Sequence, residues 1–426
     1  MKPIYIIDGA RTPFLKAQKG PGPFAASDLA TQAGRALLLR QPFEPSELDE
    51  VILGCAAPSP DETNIGRMVA LRLGCGNQVP GWTVMRNCAS GMQAIDSAIA
   101  NIQCGRAKLV LAGGVDALSR APLLYSDAMV RWFAGLMSLR TPLEKAKHFL
   151  KLRPAALLTP VIGLMKGLTD PVVGLLMGQT AENLAWKFGI GRAAMDAFAV
   201  DSHRRAIAAR TAGHFGEIVP LVDTAGQVYA EDDGVRADAS PEGMAKPKPF
   251  FDKKYGRITA ANSSQITDGA AWLLLASEEA VQKWNLQPIG KIVDSQWSGL
   301  EPEQMGLGPV HAATPLLQRH GLALADIDYW ELNEAFAAQV LACVSAWQHD
   351  AYCREQLGLP GALGAVDPAR LNVDGGAVAI GHPVGASGTR IVLHLLHVLR
   401  RNRAKRGIAT ICIGGGLGGA MLVEAC

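Results

Sequence analysis

Apolar positions in this chain recur with two periods. Short apolar runs alternate with longer stretches in which apolar residues return every three or four positions, the signatures of buried strands and of helices. The opening run Lys2-Pro3-Ile4-Tyr5-Ile6-Ile7-Asp8 reads as a buried strand. A helical stretch from Ser27 to Arg40 leads to the strand-like Glu47-Leu48-Asp49-Glu50-Val51-Ile52-Leu53-Gly54. Trp82-Thr83-Val84-Met85 reads as another short strand. Ser90 begins a helix with Met92, Ile95, Ala98, Ile99 and Ile102 along one face, and it runs to the strand Lys108 to Ala112 and to Gly113-Gly114.

The end of the chain repeats this order. A helical stretch from His311 to Gly321 leads to Asp326-Ile327-Asp328-Tyr329-Trp330-Glu331-Leu332. Ala386-Ser387-Gly388 opens a helix as Ala89-Ser90-Gly91 does, and it leads to Gly407-Ile408-Ala409-Thr410-Ile411 and Gly414-Gly415-Gly416. The same elements in the same order imply a duplicated strand–helix half. Alternating strands and helices imply an α/β fold with mostly buried sheets. The expected organisation is a first half over 1–120, an elaboration over 121–269 that ends the first half, and a second half over 270–426. The middle region carries Pro154, Pro160, Pro171, Pro241, Pro247 and Pro249 and reads as irregular, a long loop region able to cover a site between the halves.

Composition narrows the function classes. With 426 residues the chain is long enough for two or three packed units. A net charge of +2 gives no argument for nucleic acid. The eight cysteines are scattered with no CxxC pair, which argues against a zinc or thioredoxin-like site. The size and the absence of a signal-peptide pattern point to reduced thiols in a cytosol-like compartment. No apolar stretch reaches the roughly 18 residues expected of a spanning helix.

Four segments carry candidate chemistry. Cys88 lies in Asn87-Cys88-Ala89-Ser90-Gly91, at a strand-to-helix elbow. A lone cysteine is ordinarily a small buried hydrophobe. At a helix start, free N–H groups and the positive dipole end would favour a thiolate, so a low-pKa thiol is expected. His382 lies in a Gly/Pro-rich turn, Gly381-His382-Pro383-Val384-Gly385, before the duplicated helix. Across a pseudo-two-fold axis the two helix starts can face each other, which gives a Cys/His pair. Cys412 ends a buried strand and runs into Gly414-Gly415-Gly416, whose bare N–H groups suit an oxyanion. Asn333, in Glu331-Leu332-Asn333-Glu334-Ala335-Phe336, is expected to cap a helix from Glu334 to Trp347, and its amide could fix a water or the histidine.

Together these segments resemble the thiolase family. The resemblance spans essentially the whole chain and includes Asp8-Gly9-Ala10-Arg11-Thr12-Pro13-Phe14, Met177-Gly178-Gln179-Thr180-Ala181-Glu182-Asn183, Asn262-Ser263-Ser264 and Asp268-Gly269-Ala270-Ala271. The second cysteine with its glycines separates thiolases from ketoacyl synthases of the same fold, which use two histidines. The resemblance implies stacked halves in α-β-α-β-α layers with a long loop domain inserted in the first half. It implies that Cys88 takes the acyl group and that His382 accepts its proton. His382 would also form an oxyanion hole with a water held by Asn333. Cys412 would act as acid/base, and the backbone N–H groups of Cys88 and Gly414 would form a second hole. Ser264 and Met177 would lie at the substrate and coenzyme A. No bound cofactor is implied: coenzyme A and acyl-CoA are substrates.

Two positions depart from short-chain biosynthetic members. Leu176 stands where histidine is usual, and Gln265 replaces a glycine. The implied activity is that of a 3-ketoacyl-CoA thiolase of fatty-acid β-oxidation. A biosynthetic acetoacetyl-CoA thiolase and a non-catalytic acyl-CoA or lipid carrier are the rivals. Tyr125 to Gly178 mixes Trp132, Phe133, Leu136 and Met137 with Arg131, Arg140, Lys145, Lys147, Lys151, Arg153 and Lys166. It is loosely similar to the same region in thiolase subunits of fatty-acid oxidation complexes. It suits an ordinary amphipathic cover, a membrane surface or a hydratase/dehydrogenase partner. A homo-oligomer, dimer or tetramer, is expected.

Overall fold

The computed structural model describes residues 3–18 and 20–426, so Lys2 of the opening run lies outside the described residues. The first half supplies β1 (Ile4–Arg11), α1 (Ala26–Leu38), β2 (Glu50–Gly54), β3 (Gly81–Val84), α2 (Ser90–Gln103) and β4 (Leu109–Ala117). The region expected to be irregular is helical in its first part, with α3 (Asp127–Ser138), α4 (Pro142–Phe149), α5 (Met177–Lys187) and α6 (Arg192–Thr211), and mostly loop from 212 to 266. Pro142, Pro154 and Pro241 sit at helix starts, where a missing N–H costs nothing, while Pro160, Pro171, Pro247 and Pro249 lie in loops or turns. The chain then gives β5 (Thr267–Ser277), β6 (Gly290–Gly299), α7 (Gly308–Arg319), β7 (Tyr329–Leu332), α8 (Ala337–Gln348), α9 (Val384–Arg401), β8 (Arg406–Ile413) and β9 (Leu417–Ala425).

The strand order β7-β8-β9-β6-β1-β5-β4-β2-β3 contains the duplication. In each half a strand pairs in parallel with its neighbour, β2 with β4 and β7 with β8. In each half the next strand runs antiparallel, β5 against β4 and β9 against β8. The parallel bridge between Trp330 and Leu371 stands where β3 stands in the first half. The halves meet where β1 pairs β6 over Ile4–Ile292, Tyr5–Lys291 and Ile6–Gly290. β5 pairs with β1 and β4 while β6 pairs with β1 and β9, so the sheet is continuous and the chain crosses from its first-half arm to its second-half arm between Ser277 and Gly290.

Three apolar layers follow from these pairings. α1 packs on the outer face of the first sheet through Leu29, Ala33 and Leu37. α7 packs on the outer face of the second through Val310, Ala313 and Leu317. Between the sheets, α2 and α9 share one cluster in which Ile95 and Ile99 meet Ile391 and Leu395, with Val110 and Ile411 from the two sheets. The result is the five-layer α-β-α-β-α stack. α9 is buried almost all round although it carries Arg390 and His394, and Ile391, Val392, Leu393, Leu395 and Leu396 are fully buried. Each such side chain contributes about 1.5–3 kcal/mol of burial. Small residues let the two central helices approach: a side chain at Gly91 would collide with Thr389 and with the Gly385 carbonyl, and one at Gly388 with Met92.

The insertion around α3 and α4 does not pack as a cover. Of its described large hydrophobics between Leu123 and Met165, only Met129 is buried. Met137 is 85% exposed and Leu150 is 87% exposed. The hairpin is held internally. Trp132 stacks on His148 at 5.2 Å and meets Phe149 edge-on at 5.2 Å, and His148 Nε2 bonds the Trp132 carbonyl at 2.9 Å. Among the described residues no helix is long and apolar enough to cross a membrane.

Candidate active site

The Cys88 elbow is built by its neighbours. β3 ends at Val84, and Asn87 adopts a left-handed φ of 45°, which asparagine tolerates better than most residues. Ser90 Oγ donates to the Asn87 carbonyl at 2.7 Å and accepts the Arg86 N–H at 2.9 Å, which closes the turn. Cys88 follows, two residues before α2 begins, and is partly buried.

The second cysteine arrives from the other half. Cys412 lies near the end of β8, buried. The turn to β9 passes through Gly415 and Gly416 at φ 92° and 74°, a conformation that excludes most side chains. Asn87 Nδ2 donates to the Gly414 carbonyl at 2.8 Å, tying the two cysteine loops together. The Gly414 N–H faces the Cys88 thiol. Met177, at the start of α5, brings its sulfur to the same place: a side-chain carbon added at Gly414 would sit 3.2 Å from Met177 Sδ.

His382 is fixed from both sides. Its N–H donates to the Gln265 carbonyl at 3.0 Å. Its Nδ1 lies 2.5 Å from Ser387 Oγ, and that hydroxyl donates to the Pro383 carbonyl at 2.9 Å. A carbonyl only accepts, so the serine proton is committed and His382 Nδ1–H donates to Oγ. Nε2 then carries the lone pair. It is buried and without a protein partner. Burial, and secondarily the Arg390 cation, push His382 down to about 4, so the imidazole is neutral at neutral pH.

Asn333 does not cap a helix. α8 begins four residues later at Ala337, with Phe336 as its cap. The intervening residues pair instead with another segment: Ser263 bridges Phe336, the Ser264 N–H donates to the Ala335 carbonyl at 3.0 Å, and the Ala337 N–H to the Asn262 carbonyl at 3.0 Å. This pairing delays the helix and leaves Asn333 buried, with neither amide atom hydrogen-bonded. Its backbone N–H donates to the Thr410 carbonyl, two residues before Cys412. Ser264, partly buried, thus lies beside both the His382 anchor and the Asn333 segment. Orphaned buried polar atoms cost stability, and those of His382 and Asn333 mark a polar ligand or water site.

The electrostatics separate the two thiols. Burial raises the Cys88 thiol above its ordinary value, and Asp116 adds to this, against the N–H groups of Gly414 and Cys88 itself. The low-pKa thiol expected from the sequence is therefore not what the unliganded site holds: removal from water outweighs the donors at the elbow. Cys412 is pushed well above its ordinary value by burial and then by Cys88 and Cys343. The arrangement holds a neutral base, a buried acid and a nucleophile that ionises by handing over its proton.

Family models match along nearly the entire chain. The thiolase N-terminal domain matches residues 4–279 and the thiolase C-terminal domain residues 286–425. The chain belongs to the thiolase family. A 3-ketoacyl-CoA thiolase from Yersinia enterocolitica is 35% identical over 99% of this chain and 96% of its own length. A beta-ketoadipyl-CoA thiolase from Acinetobacter baylyi is 39% identical over the whole of both chains. The human mitochondrial 3-ketoacyl-CoA thiolase in complex with CoA superposes with a TM-score of 0.85 at 35% identity, covering 100% of this chain and 98% of that one. This thiolase is thus an acyltransferase, and its family acts on CoA thioesters.

Sequence reasoning missed several residues of this thiolase site. Ser387 was legible in the repeat, because Ala89-Ser90-Gly91 and Ala386-Ser387-Gly388 place equivalent hydroxyls, and each closes the turn before its helix. Gln265 does more than replace a glycine. Its side-chain amide donates to the Gly234 carbonyl at 2.8 Å and the Ala379 carbonyl at 3.3 Å, while its backbone carbonyl accepts the His382 backbone N–H. Nothing in the spacing signalled Asn87 or Asp116.

Proposed function

We propose that this chain is a 3-ketoacyl-CoA thiolase that cleaves 3-ketoacyl-CoA with coenzyme A in fatty-acid β-oxidation. The observation that carries this reading is the buried, unpartnered lone pair of the neutral His382 Nε2, together with Cys88 and Cys412, one from each half, set close enough for one thiol to raise the other. Cys88 Sγ attacks the 3-keto carbon and passes its proton to His382 Nε2. The N–H groups of Cys88 and Gly414 take the oxyanion. The Cα–Cβ bond breaks, and the departing enolate of acetyl-CoA takes a proton from Cys412. A water between Asn333 and His382 stabilises that enolate oxygen. The coenzyme A thiol then gives its proton to the Cys412 thiolate and attacks the acyl-Cys88 thioester. Cys88 leaves and recovers its proton from His382. Splitting the transfer through a thioester keeps the acyl group activated throughout. Ser264 and Met177 border the coenzyme A arm and the acyl group.

Leu176 in place of histidine and the apolar insertion favour a long acyl chain over an acetoacetyl group. The beta-ketoadipyl-CoA relatives support a second reading, a dicarboxylic acyl group met by the basic residues of the insertion. Thiolysis rates across 3-ketoacyl-CoA chains of increasing length, with 3-ketoadipyl-CoA and acetoacetyl-CoA included, separate these readings. A rate that rises with chain length supports the first. A maximum at the dicarboxylic or four-carbon substrate replaces it, and no turnover leaves an acyl-CoA carrier. The reading includes a cytoplasmic homo-oligomer. It also includes contact of the exposed insertion with an anionic membrane surface or with a hydratase/dehydrogenase subunit.

A further inference from the structure

Behind the catalytic turn lies a carboxylate that the mechanism does not use. Asp116, at the end of β4, is fully buried. One of its oxygens accepts the Ala57 N–H at 2.8 Å, the Ala56 N–H at 3.2 Å and the Cys55 thiol at 3.3 Å, all from the loop after β2. The other accepts the N–H of Gly385, three residues after His382 in the opposite half. The backbones touch at the same point: a side chain at Gly114 would overlap the Gly385 carbonyl, and one at Gly385 would lie 3.2 Å from Cys55 Cα. Burial lifts the Asp116 carboxyl to about 6, against the N–H groups of Ala57 and Gly385, so it is ionised at neutral pH.

Among the described residues this carboxylate is the one side chain that hydrogen-bonds both the first-half loop and the histidine turn. Among the described residues His382 itself is hydrogen-bonded by the Gln265 backbone carbonyl and by Ser387 within its own turn. We propose that Asp116 is a positioning residue for His382. It fixes the His382–Gly385 turn to the half that carries Cys88, and so sets the reach of Nε2 to the thiol. The inference rests on His382 being the base for Cys88. Ionised Asp116 serves donors at both ends, which an amide cannot do: in Asp116→Asn one end presents NH₂ to an N–H.

The test follows acylation of Cys88 by acyl-CoA as a mass increase, beside steady-state turnover. Asp116→Asn is expected to lower kcat and the acylation rate together by about tenfold or more, in line with the cost of small misplacements, while the KM for coenzyme A stays within about twofold. If Asp116→Asn does not fold, Cys55→Ala is expected to lower acylation severalfold and Cys55→Ser to restore it. Unchanged acylation in folded Asp116→Asn overturns the proposal, as does a rise in KM that accounts for the loss. In the unfolded case, wild-type acylation in Cys55→Ala overturns it. His382→Asn is the separating control. Wild-type acylation in that variant removes the base reading and this inference with it. Slow acylation there beside a normal Asp116→Asn removes only the inference.

Discussion

The side-chain amide of Asn87 donates to the carbonyl of Gly414 at 2.8 Å, so the residue before one cysteine orients the peptide that follows the other. The same glycine turns its N–H toward Cys88. Asn87→Gly keeps the left-handed backbone and removes only this link. It is expected to slow Cys88 acylation by about fivefold, the worth of one hydrogen bond near 1 kcal/mol. Intact-mass kinetics against wild type check this, and an unchanged rate would free Gly414 from the amide.

The thiols should divide by role. Cys88→Ala is expected to abolish acyl-enzyme with thermal unfolding preserved. Cys412→Ser should still acylate Cys88, with overall turnover down by roughly 10²–10⁴, the range for lost acid/base catalysis. Alkylation should also reach Cys104 and Cys426, both exposed, but acyl-CoA should protect Cys88 alone. Near-normal turnover in Cys412→Ser would return that residue to a packing role.

A neutral His382 predicts its own titration. Its folded value lies near 4, below the ordinary 6.5, so the base form persists as pH falls through 6.5. An NMR titration of the His382 ring should show a midpoint nearer pH 4 than pH 6.5, whereas acylation should already weaken near pH 6, where Asp116 gains a proton and releases one end of its bridge. The unfolded chain protonates first in that window, so His382 costs stability there, and the cost grows as pH falls from 6.5 toward 4. A ring midpoint at pH 6.5 would contradict the buried neutral imidazole.

His394 predicts the opposite sign. Burial alone would lower it, but Glu217 and Asp374, each 3.0 Å from a ring nitrogen, raise it to about 9. Its stabilising charge is fully present below the unfolded value of 6.5 and is lost as pH rises to about 9. Thermal midpoints of the wild type should therefore fall between pH 7 and 9. His394→Gln should start lower and show a shallower fall, and parallel slopes would remove His394 from this role.

The exposed insertion predicts surface binding. Co-sedimentation with anionic vesicles is expected, weakened at high salt. Charge reversal at Lys145, Lys147 and Lys151 should weaken it further while leaving turnover of soluble acyl-CoA unchanged. Absence of both vesicle binding and co-purification with a hydratase/dehydrogenase would remove the docking role from the hairpin.

Much of this was legible along the chain because it repeats. The strands beside Val51 and Trp330, the helices from Ser90 and Val384, and the glycines after Cys412 all carry local period or turn signals. What was not legible depends on contacts between distant segments. Asn333 reads as a cap because asparagine before an apolar run ordinarily is one, and only the pairing of Ser263 with Phe336 moves the helix start. The Cys88 thiol reads as acidic from its place at a helix, whereas depth below the surface, which no spacing reveals, decides the direction. The insertion reads as irregular because its prolines look like breakers, although Pro142 and Pro154 begin helices.

The meeting of α2 and α9 at Gly91 and Gly385 leaves no room for a side chain between the two copies of the repeat. In the proposed transfer one half brings the nucleophile and the other brings the base. Slack between the halves would then change the distance a proton must cross. Two helices packed backbone to backbone remove that slack, so a duplicated scaffold serves as a fixed gauge between groups that lie nearly 300 residues apart in sequence.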